Sequence, residues 1–540
     1  MTSLDRRAKA LLLAGVLAFL AVALAPVAWM LATCLMAEPA APFAPFADVL
    51  TSPRQWALFQ GSLILAAFTA TGAMAMGAAL AYVVTRIAVP GRGTWTALLM
   101  VPLVVPPYVF ALAWLDLLGR RGPLNAALTE LLGTDAPPLN VYSLAGAAFV
   151  MSLCHFPIVF LTTRAALNSI DARFEEAGRL FAGDRRTFFG ITLRQAAPGC
   201  LAGGLLVFVL ALAEFGVPSL LCVPVYTIEV FTKFSAFYDT PGATATAAPL
   251  LCVSLLALYL CNRCMRGARR PAWSGQARHV PPGRGRIRRG LGLAACAVAV
   301  AGSVVAPVAV LMKRAGALGT YVRAIETAWD ELIHSLVTAA LAATAMALLA
   351  LVVAYAARRL RPRAGNALDW AALASLAVPG TVLGVGLIGL WNRPGLLGLV
   401  YETVGILLLA YVARFFAVAH KGLETAIDRL DPGLEEAAAA SGVSWWRGFI
   451  WIVAPLLAPA FAAVWLLTFI LCLGELNAAV LVCPPGYTTL SVRIFTLMHY
   501  GMNELVAALA VILVMCTVLP LVLLGPLARR IATPRKASAP

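Results

Sequence analysis

Charge is scarce in this sequence. Only 12% of its 540 residues are Asp, Glu, Lys or Arg, whereas 61% are apolar and the mean hydropathy is +0.87. Water-soluble domains carry about 25% charged residues, so a soluble globular fold is excluded. The net charge of +16 does not indicate a nucleic-acid partner, because the arginines fall in short segments between apolar runs. We therefore expect the lipid bilayer, and no nucleic acid, around this chain.

Three kinds of chemical site are also missing from the sequence. No Gly-x-x-x-x-Gly-Lys-Ser/Thr run occurs, so the chain lacks the loop that cradles ATP phosphates. The apolar runs hold no convergent His, Asp or Ser-Lys cluster, which argues against an intramembrane enzyme. Most of the eleven cysteines lie within apolar runs as small hydrophobic residues. We expect no catalytic residue, no metal site and no cofactor bound by this chain.

The sequence does contain long apolar runs. A membrane-spanning helix needs roughly 20 apolar residues, and we find about twelve such runs. They cover residues 11–35, 61–85, 95–118, 141–163, 197–221, 245–264, 290–312, 333–357, 368–391, 397–419, 456–481 and 504–528. The first is too long for the core of a signal peptide, so we expect an uncleaved anchor. The predicted fold class is an all-α membrane protein with about twelve transmembrane helices.

Lysine and arginine are unevenly divided between the two ends of these runs. If the N-terminus is inside, the inner segments hold 32 of the 41 basic residues and the outer segments hold nine. Because basic loops stay inside, both termini are predicted to be cytoplasmic. The densest basic segment, residues 263–289, contains nine arginines. We interpret it as a linker between two halves, with a patch that binds anionic lipid as the alternative.

The sequence repeats itself once. A separation of 273 residues (335 minus 62) relates Ser62 to Ser335, Arg86 to Arg359 and Pro106 to Pro379. Farther along, a separation of 261 residues (475 minus 214) relates Phe188 to Phe449, Glu214 to Glu475 and Tyr226-Thr227 to Tyr487-Thr488. Two sets of six spans in the same order predict a parallel repeat, with a transport pathway between the halves. We expect the halves at residues 1–262 and 290–540, joined by 263–289.

Each half contains one segment that is too polar for a bilayer. In residues 434–455, Glu435, Glu436 and four alanines favour a short helix, and Gly442 is typical of a helix end. A poorer copy occupies residues 174–193. Two such projections on one side of a membrane predict docking sites for a partner with two-fold symmetry.

The segment 434–455 resembles the EAA loop of permeases from binding-protein-dependent ABC importers. That loop runs Glu-Ala-Ala, a Gly six residues after the Glu, and then Phe, Ile and Leu-Pro. In register are Glu436, Ala437, Ala438, Gly442, Phe449, Ile452 and Pro455, with Ala454 in place of the usual Leu. The first copy departs more, since Arg194 stands where Pro is usual and Gly183 is displaced from the downstream register.

The resemblance implies a type I importer permease in a bacterial inner membrane. Two cytoplasmic ABC ATPase subunits would carry the ATP, and a periplasmic substrate-binding protein would deliver the solute. The residues that the resemblance assigns to ATPase coupling are Glu175, Glu176, Ala177, Gly183, Glu435, Glu436, Ala437, Ala438 and Gly442. We expect Glu435 and Glu436 to pair with arginines of the partner.

The fused two-half form is most similar to the ferric-iron-type permeases. Residues 103–114 and 214–218 carry this similarity. Thiamine, polyamine and phosphonate permeases are alternatives with the same architecture. An ion-driven secondary transporter is the alternative from a different class, although it has no need for two polar projections. The predicted function is import of a small solute, ferric iron, by a non-enzymatic permease.

Few ionisable residues lie within the apolar runs. Glu214 and Glu475, the latter close to Asn477, hold equivalent places toward the outer ends of the fifth and eleventh runs. The three residues are candidates for lining the pathway, where carboxylates could meet a cation. In the alternative interpretation each glutamate is hydrated near the outer surface or caps a broken helix.

The other polar residues near the ends of runs carry weaker signals. Asp116, His155, Glu402 and His420 are expected at solvated positions of the membrane interface. Cys222 and Cys483 are predicted to be equivalent, either as a disulfide between the halves or as small apolar residues.

Overall fold

The computed structural model describes residues 6–37, 40–120, 122–134, 136–268, 285–359, 362–501 and 503–532. Every regular element in these ranges is a helix. Within them, ten helices are long and apolar enough to cross a membrane, and two further helix pairs are each bent at a break. The all-helical fold with ten to twelve spans is therefore confirmed. Of the predicted linker 263–289, residues 269–284 lie outside the described ranges.

The main helices fall into two series of eight. The first series is α1 (Arg7–Ala37), α2 (Pro53–Arg86), α3 (Pro107–Leu118), α4 (Leu144–Asn168), α5 (Ala172–Thr187), α6 (Leu193–Leu212), α7 (Tyr226–Ser235) and α8 (Thr240–Ala268). The second is α9 (Arg286–Ala315), α10 (Trp329–Arg359), α11 (Gly380–Trp391), α12 (Gly405–Ile427), α13 (Pro432–Ala440), α14 (Ala454–Leu473), α15 (Leu490–Met498) and α16 (Glu504–Ala532). Each helix thus has its counterpart eight places later.

Shorter helices connect the main ones. They are Ala44–Thr51, Arg92–Met100, Pro123–Leu132, Gly216–Leu220, Leu318–Thr327, Pro362–Ala374, Leu396–Tyr401, Trp445–Gly448 and Ala479–Val482. We call the end of the bundle that carries α5 and α13 the loop end, and the other end the opposite end.

Two of the predicted spans, 95–118 and 368–391, are not single helices. The first is bent by 95° and the second by 106°. The breaks lie at Pro106 and Pro379, where Val105 and Val378 have extended backbones with ψ of 129° and 116°. Proline disfavours a helical conformation in the preceding residue and has no N–H to donate within a helix. Both breaks therefore follow from the repeated prolines.

Three other predicted spans have shifted bounds. The run 197–221 belongs to a longer helical segment, Ala172–Leu212, which ends before Glu214. The run 397–419 corresponds to α12, which begins at Gly405. The run 456–481 corresponds to the segment Trp445–Leu473, because the chain leaves the helix just before Glu475.

The first helix of each series packs on the other series. In α1, Phe19 stacks on Phe416 of α12 with ring centroids 4.3 Å apart. In α9, Gly292 lies against Val83 at the end of α2 and against Val89. The two halves therefore exchange their first helices.

One part of the repeat was assigned in the wrong register. The Tyr-Thr pairs at 226 and 487 match in sequence, but α7 begins at Tyr226 and α15 begins at Leu490. The backbone N–H of Tyr226 donates to Ser62, and that of Leu490 donates to the equivalent Ser335. The structural separation is therefore 264 residues (490 minus 226), because the second half has three more residues before α15. All eleven cysteines are free, Cys222 and Cys483 included.

Candidate coupling loops and pathway

Two polar segments project at the loop end, and both begin with an aspartate cap. We call residues 171–187 loop A and residues 431–448 loop B. The carboxylate of Asp171 accepts a hydrogen bond of 3.0 Å from the backbone N–H of Arg173, and Asp431 accepts one of 2.9 Å from Gly433. Such caps satisfy the free N–H groups at a helix start. The first turn of the helix in each loop is therefore stabilised by the aspartate that precedes it.

Each loop turns at a glycine in the left-handed conformation. Gly183 has φ of 74° and Gly442 has φ of 75°, a region that side chains with a Cβ rarely adopt. The space around both is open. The displacement of Gly183 in the sequence therefore does not change its structural role. Beyond each glycine the chain enters a π turn, Phe188–Thr192 or Phe449–Val453, and continues into α6 or α14.

Loop A is held to α2 by a buried ion pair. The Glu175 side chain is 1% exposed, and one of its carboxylate oxygens lies 3.0 Å from the Arg86 guanidinium. Thr192 donates to the same oxygen at 3.1 Å, and Arg179 pairs with the other oxygen at 3.2 Å. Arg86 also donates to the carbonyl of Leu167 at 2.8 Å. The carboxylate is therefore fully engaged within the chain.

Loop B is held to α10 in the equivalent way. Arg359, the counterpart of Arg86, forms an ion pair with Glu435. Tyr355 donates its hydroxyl hydrogen to Glu435 at 2.7 Å and accepts a hydrogen bond of 3.1 Å from Trp445. Trp445 stacks on Phe449 at the start of α14 with centroids 5.4 Å apart. This pair is more open than the first, with side chains 26% and 28% exposed.

The structure divides the predicted coupling residues into two groups. Glu175 and Glu435 face the body of the protein, so Glu435 pairs with Arg359 of its own chain rather than standing free for a partner. The group with exposed or partly exposed side chains is Glu176, Ala177, Gly183, Glu436, Ala437, Ala438 and Gly442. Sequence reasoning missed Leu180 and Phe181, which are 85% and 92% exposed. It also missed Arg86 and Arg359, although both appeared in the repeat.

The two pathway candidates are buried at breaks in the chain. Glu214 and Glu475 are 8% and 5% exposed. Glu214 accepts hydrogen bonds from the backbone N–H groups of Gly216 and Val217 at 3.0 and 3.4 Å. Glu475 accepts one from Ala478 at 2.8 Å. Each glutamate therefore caps a broken helix, as in one of the interpretations above, but neither is hydrated at the surface.

Among the residues that the structure describes, the buried arginine near these glutamates comes from the second half. Arg414 of α12 is 5% exposed and lies within electrostatic range of both carboxylates. It donates to the carbonyl of Val378 at 2.6 Å. In the first half, the Cys154 thiol lies 3.8 Å from the equivalent carbonyl of Val105. Arg414 is one of the 32 basic residues assigned above to inner segments, and this assignment is wrong because Arg414 lies inside the helix bundle.

The expectation of solvated histidines is also wrong. His155 is 7% exposed and bonded to the Met151 carbonyl at 2.9 Å, and His420 is fully buried. His420 lies 2.9 Å from Asp369, because α12 packs against the helix Pro362–Ala374. The imidazole rings of His155 and His420 both form hydrogen bonds with neighbours inside the helix bundle. Asp116 is partly exposed and Glu402 is exposed, in agreement with their expected positions.

One group of side chains has the composition of a metal site. Ligand atoms of Asp369, His420 and Glu424 all lie within 4.8 Å of one another. Arg358 pairs with Glu424 at 2.5 Å and lies 3.9 Å from Asp369, and Lys421 pairs with Glu424 at 2.6 Å. The carboxylates are thus engaged by cations of the chain itself. We interpret the group as an ion-pair network that joins α10, α12 and Pro362–Ala374 at the loop end.

The opposite end is open between the two halves. A cleft of about 1030 Å³ is lined by residues that include Asp116, Lys313, Arg323 and Glu504. A neighbouring cleft of about 670 Å³ shares Asp116 and reaches Ser219, in the short helix that Glu214 caps. The second cleft therefore approaches the segment that holds the buried Glu214 from the opposite end.

The comparisons with known proteins agree with this layout. Residues 73–264 and 346–536 each match the family described as "Binding-protein-dependent transport system inner membrane component". The matches cover both halves separately, which confirms the internal repeat.

Three relatives illustrate the similarity. A putative ferric transport system permease protein of Haemophilus influenzae is 26% identical over 453 residues, covering 80% of this chain and 71% of that protein. A Fe(3+)-transport system permease protein of the same organism is 22% identical, with 88% and 91% covered. The molybdenum transport system permease protein of Escherichia coli K12 is 30% identical over 210 residues, covering 38% of this chain but 90% of that protein.

Proposed function

This chain belongs to the family of binding-protein-dependent transport system inner membrane components, and we propose that its cargo is ferric iron. The family establishes a multi-pass permease of a bacterial inner membrane that is not an enzyme. Membership also implies separate partners, namely an ATPase and a substrate-binding protein. The cargo, the docking residues and the orientation are the finer points of the proposal.

Ferric iron is supported by the relatives that match both halves. Two proteins that align over 80% and 88% of this chain carry ferric transport in their names. The molybdenum relative aligns over 38% of this chain, the extent of a single half. Two buried carboxylates, against one buried arginine, also favour a cation, because oppositely charged groups lower the cost of desolvating it. We propose that Glu214, Glu475 and Asn477 line the pathway.

We propose that loops A and B face the cytoplasm and each dock one ATPase subunit. Small exposed alanines permit close approach of a partner, and the exposed Leu180 and Phe181 would bury apolar surface on docking. Orientation is supported by the concentration of basic residues at the loop end. Both termini are then cytoplasmic. The two halves are residues 1–262 and 290–540 with their first helices exchanged, and residues 263–289 join them.

Transport by the reconstituted complex tests the proposal. The complex of this chain with its ATPase and binding protein is placed in liposomes, and uptake of ⁵⁵Fe from the loaded binding protein is measured with and without ATP. We expect ATP-dependent uptake and ATP hydrolysis that the loaded binding protein stimulates. Uptake of ⁹⁹Mo-molybdate instead of iron would overturn the cargo. Uptake by the chain alone, on an ion gradient without nucleotide, would overturn the importer mechanism.

A further inference from the structure

Two long helices are clamped at the loop end by the paired arginines. Helix α2 has 34 residues and α10 has 31, so at 1.5 Å per residue they are about 51 Å and 46 Å long. The last residue of each is the arginine that binds its loop, Arg86 for loop A and Arg359 for loop B. Both helices therefore run from a loop to the opposite end of the bundle.

At the opposite end, α2 is clamped to α7. The Glu229 carboxylate binds Arg54 at 2.9 Å and Gln55 at 3.0 Å, both in the first turn of α2. About two turns farther along, the buried hydroxyl of Ser62 accepts a hydrogen bond of 2.8 Å from the backbone N–H of Tyr226. The start of α7 is thus fixed to α2 by charged and neutral contacts together.

The second half repeats this clamp with different residues. Ser335 of α10 accepts a hydrogen bond of 2.7 Å from Leu490 at the start of α15. Glu331 of α10 lies 3.6 Å from Arg493 of α15, so the ion pair recurs with its charges reversed. His334 stacks on Tyr487 with centroids 3.8 Å apart. The contact between α10 and α15 is therefore equivalent to the contact between α2 and α7, although different residue types form it.

The clamps continue to the broken helices. Next to Tyr226, the Thr227 hydroxyl donates to the backbone carbonyl of Glu214 at 2.8 Å. Next to Leu490, the Ser491 hydroxyl donates to the carbonyl of Leu473 at 2.7 Å, two residues before Glu475. A continuous set of contacts thus leads from each loop, along one long helix, to one buried glutamate.

The direct connection along the chain, from each loop to the long helix that follows it, is more flexible. Between loop A and α6 lie Gly183 and the π turn Phe188–Thr192, and between loop B and α14 lie Gly442 and the π turn Phe449–Val453. Left-handed glycines and π turns interrupt the regular hydrogen-bond ladder of a helix. The lateral ion pairs to α2 and α10 are therefore the stiffer connection.

We propose that Arg86 and Arg359 are positioning residues that couple ATPase movement to the pathway, with α2 and α10 as rigid rods. Closure of the docked ATPases moves loops A and B, the ion pairs carry that movement to the rods, and the rods shift α7 and α15 together with the segments that hold Glu214 and Glu475. The inference rests on the proposed docking of ATPases at the two loops.

Charge reversal at the contact between α10 and loop B tests the rods, and the Arg359–Glu435 pair is chosen because it is more exposed than the Arg86–Glu175 pair. In liposomes, Arg359→Glu is expected to keep basal ATP hydrolysis, while stimulation by the iron-loaded binding protein and ⁵⁵Fe uptake fall about tenfold, the size of an ordinary coupling free energy. The double variant Arg359→Glu/Glu435→Arg restores both. Arg363→Glu, at an exposed arginine nearby, is the matched control and leaves both unchanged.

A distance measurement separates coupling from simple destabilisation. In a background without native cysteines, spin labels at Leu434→Cys and Val337→Cys, both exposed, report the separation between loop B and the outer half of α10. In the parent this distance stays the same with and without bound ATP, because loop and rod move together. In Arg359→Glu it changes on ATP binding. A change of equal size in parent and variant overturns the rod.

Further variants keep the two proposals distinguishable. Glu435→Gln replaces Arg359→Glu in the test if charge reversal prevents assembly of the complex. It retains a group that can form a hydrogen bond with Tyr355. We expect it also to lower the stimulation of ATP hydrolysis by the iron-loaded binding protein. Leu180→Asp/Phe181→Asp is expected to reduce co-purification of the ATPase, because it removes the apolar contact of loop A while loop B is unchanged. If that double variant binds the ATPase normally, the docking proposal fails. If docking and parental stimulation hold but Arg359→Glu is stimulated normally, the rod alone is overturned.

Discussion

Asn477 of the second half donates a hydrogen bond of 3.4 Å to the buried carboxylate of Glu214 in the first half. The same carboxylate caps the short helix Gly216–Leu220, and Glu475 makes the equivalent cap in the second half. The interface between the halves is therefore closed by groups that also fix the ends of broken helices. Any movement that opens the interface must break or exchange these contacts.

The double variant Glu214→Ala/Glu475→Ala is predicted to abolish transport. Each substitution removes a helix cap, at a cost of about 1 kcal/mol, and a carboxylate that faces the interface. The measurement is the initial rate of ⁵⁵Fe uptake, with membrane expression checked by immunoblot. Glu402→Ala, at an exposed carboxylate that lines neither cleft, is the control and should leave uptake unchanged. Uptake at the parental rate by the double variant would exclude a pathway role.

Arg414→Cys gives the second half the residue found at the equivalent position of the first. We expect a loss of stability of about 1–3 kcal/mol, because the buried carbonyl of Val378 would lose its donor and Glu214 and Glu475 would lose a nearby cation. The measurement is thermal unfolding of the purified chain in detergent. Cys154→Ala, which changes no charge, is the control and should shift the midpoint little. Equal midpoints for Arg414→Cys and the parent would show that the arginine does not compensate the carboxylates.

Gly442→Arg is predicted to insert normally but to block transport. A side chain at φ of 75° costs about 1–2 kcal/mol, too little to unfold the chain, whereas a long cation would project from loop B into the docking surface. Co-purification of the ATPase and ⁵⁵Fe uptake are the measurements. Gly316→Arg is the control, since Gly316 has φ of 72° and open surroundings at the opposite end. Normal uptake by Gly442→Arg would remove loop B from the docking assignment.

The predicted orientation is tested with a membrane-impermeant thiol reagent. In a background without native cysteines, Ala177→Cys and Ala437→Cys should react only after permeabilisation, because basic residues hold both loops inside. Phe237→Cys, at a side chain that is 72% exposed at the opposite end, should react in intact spheroplasts. The reverse pattern would place the loops outside and contradict the docking proposal.

Patterns that depend on nearby residues were predictable from the sequence. Apolar runs gave the spans, and the repeated prolines marked the places where two of them break. The turn at Gly442 and the helix before it were also predictable, since both are local properties of the backbone. Shifted helix ends arose where an apolar run continues past a helix that a glutamate terminates, as at Glu475.

Pairing between distant residues was not predictable in this way. Arg86 and Glu175 are far apart in the sequence, and only packing brings the end of α2 against loop A. Arg414 was counted as a loop residue because hydropathy cannot distinguish a charged residue at a helix end from one that finds partners inside. The match of Tyr226 to Tyr487 gave the wrong register between α7 and α15, because identical residue types do not reveal the three extra residues before α15.

The exchange of first helices has a consequence for biosynthesis. Helix α1 leaves the ribosome first, yet Phe19 finds its stacking partner Phe416 only after almost four hundred further residues have been translated. During that interval α1 can form its contacts within its own half, such as that of Cys34 with the carbonyl of Pro241 in α8, but not its contact with α12. The two halves therefore complete their packing only after α12 has been made, and a chain truncated before α12 would leave Phe19 without its stacking partner.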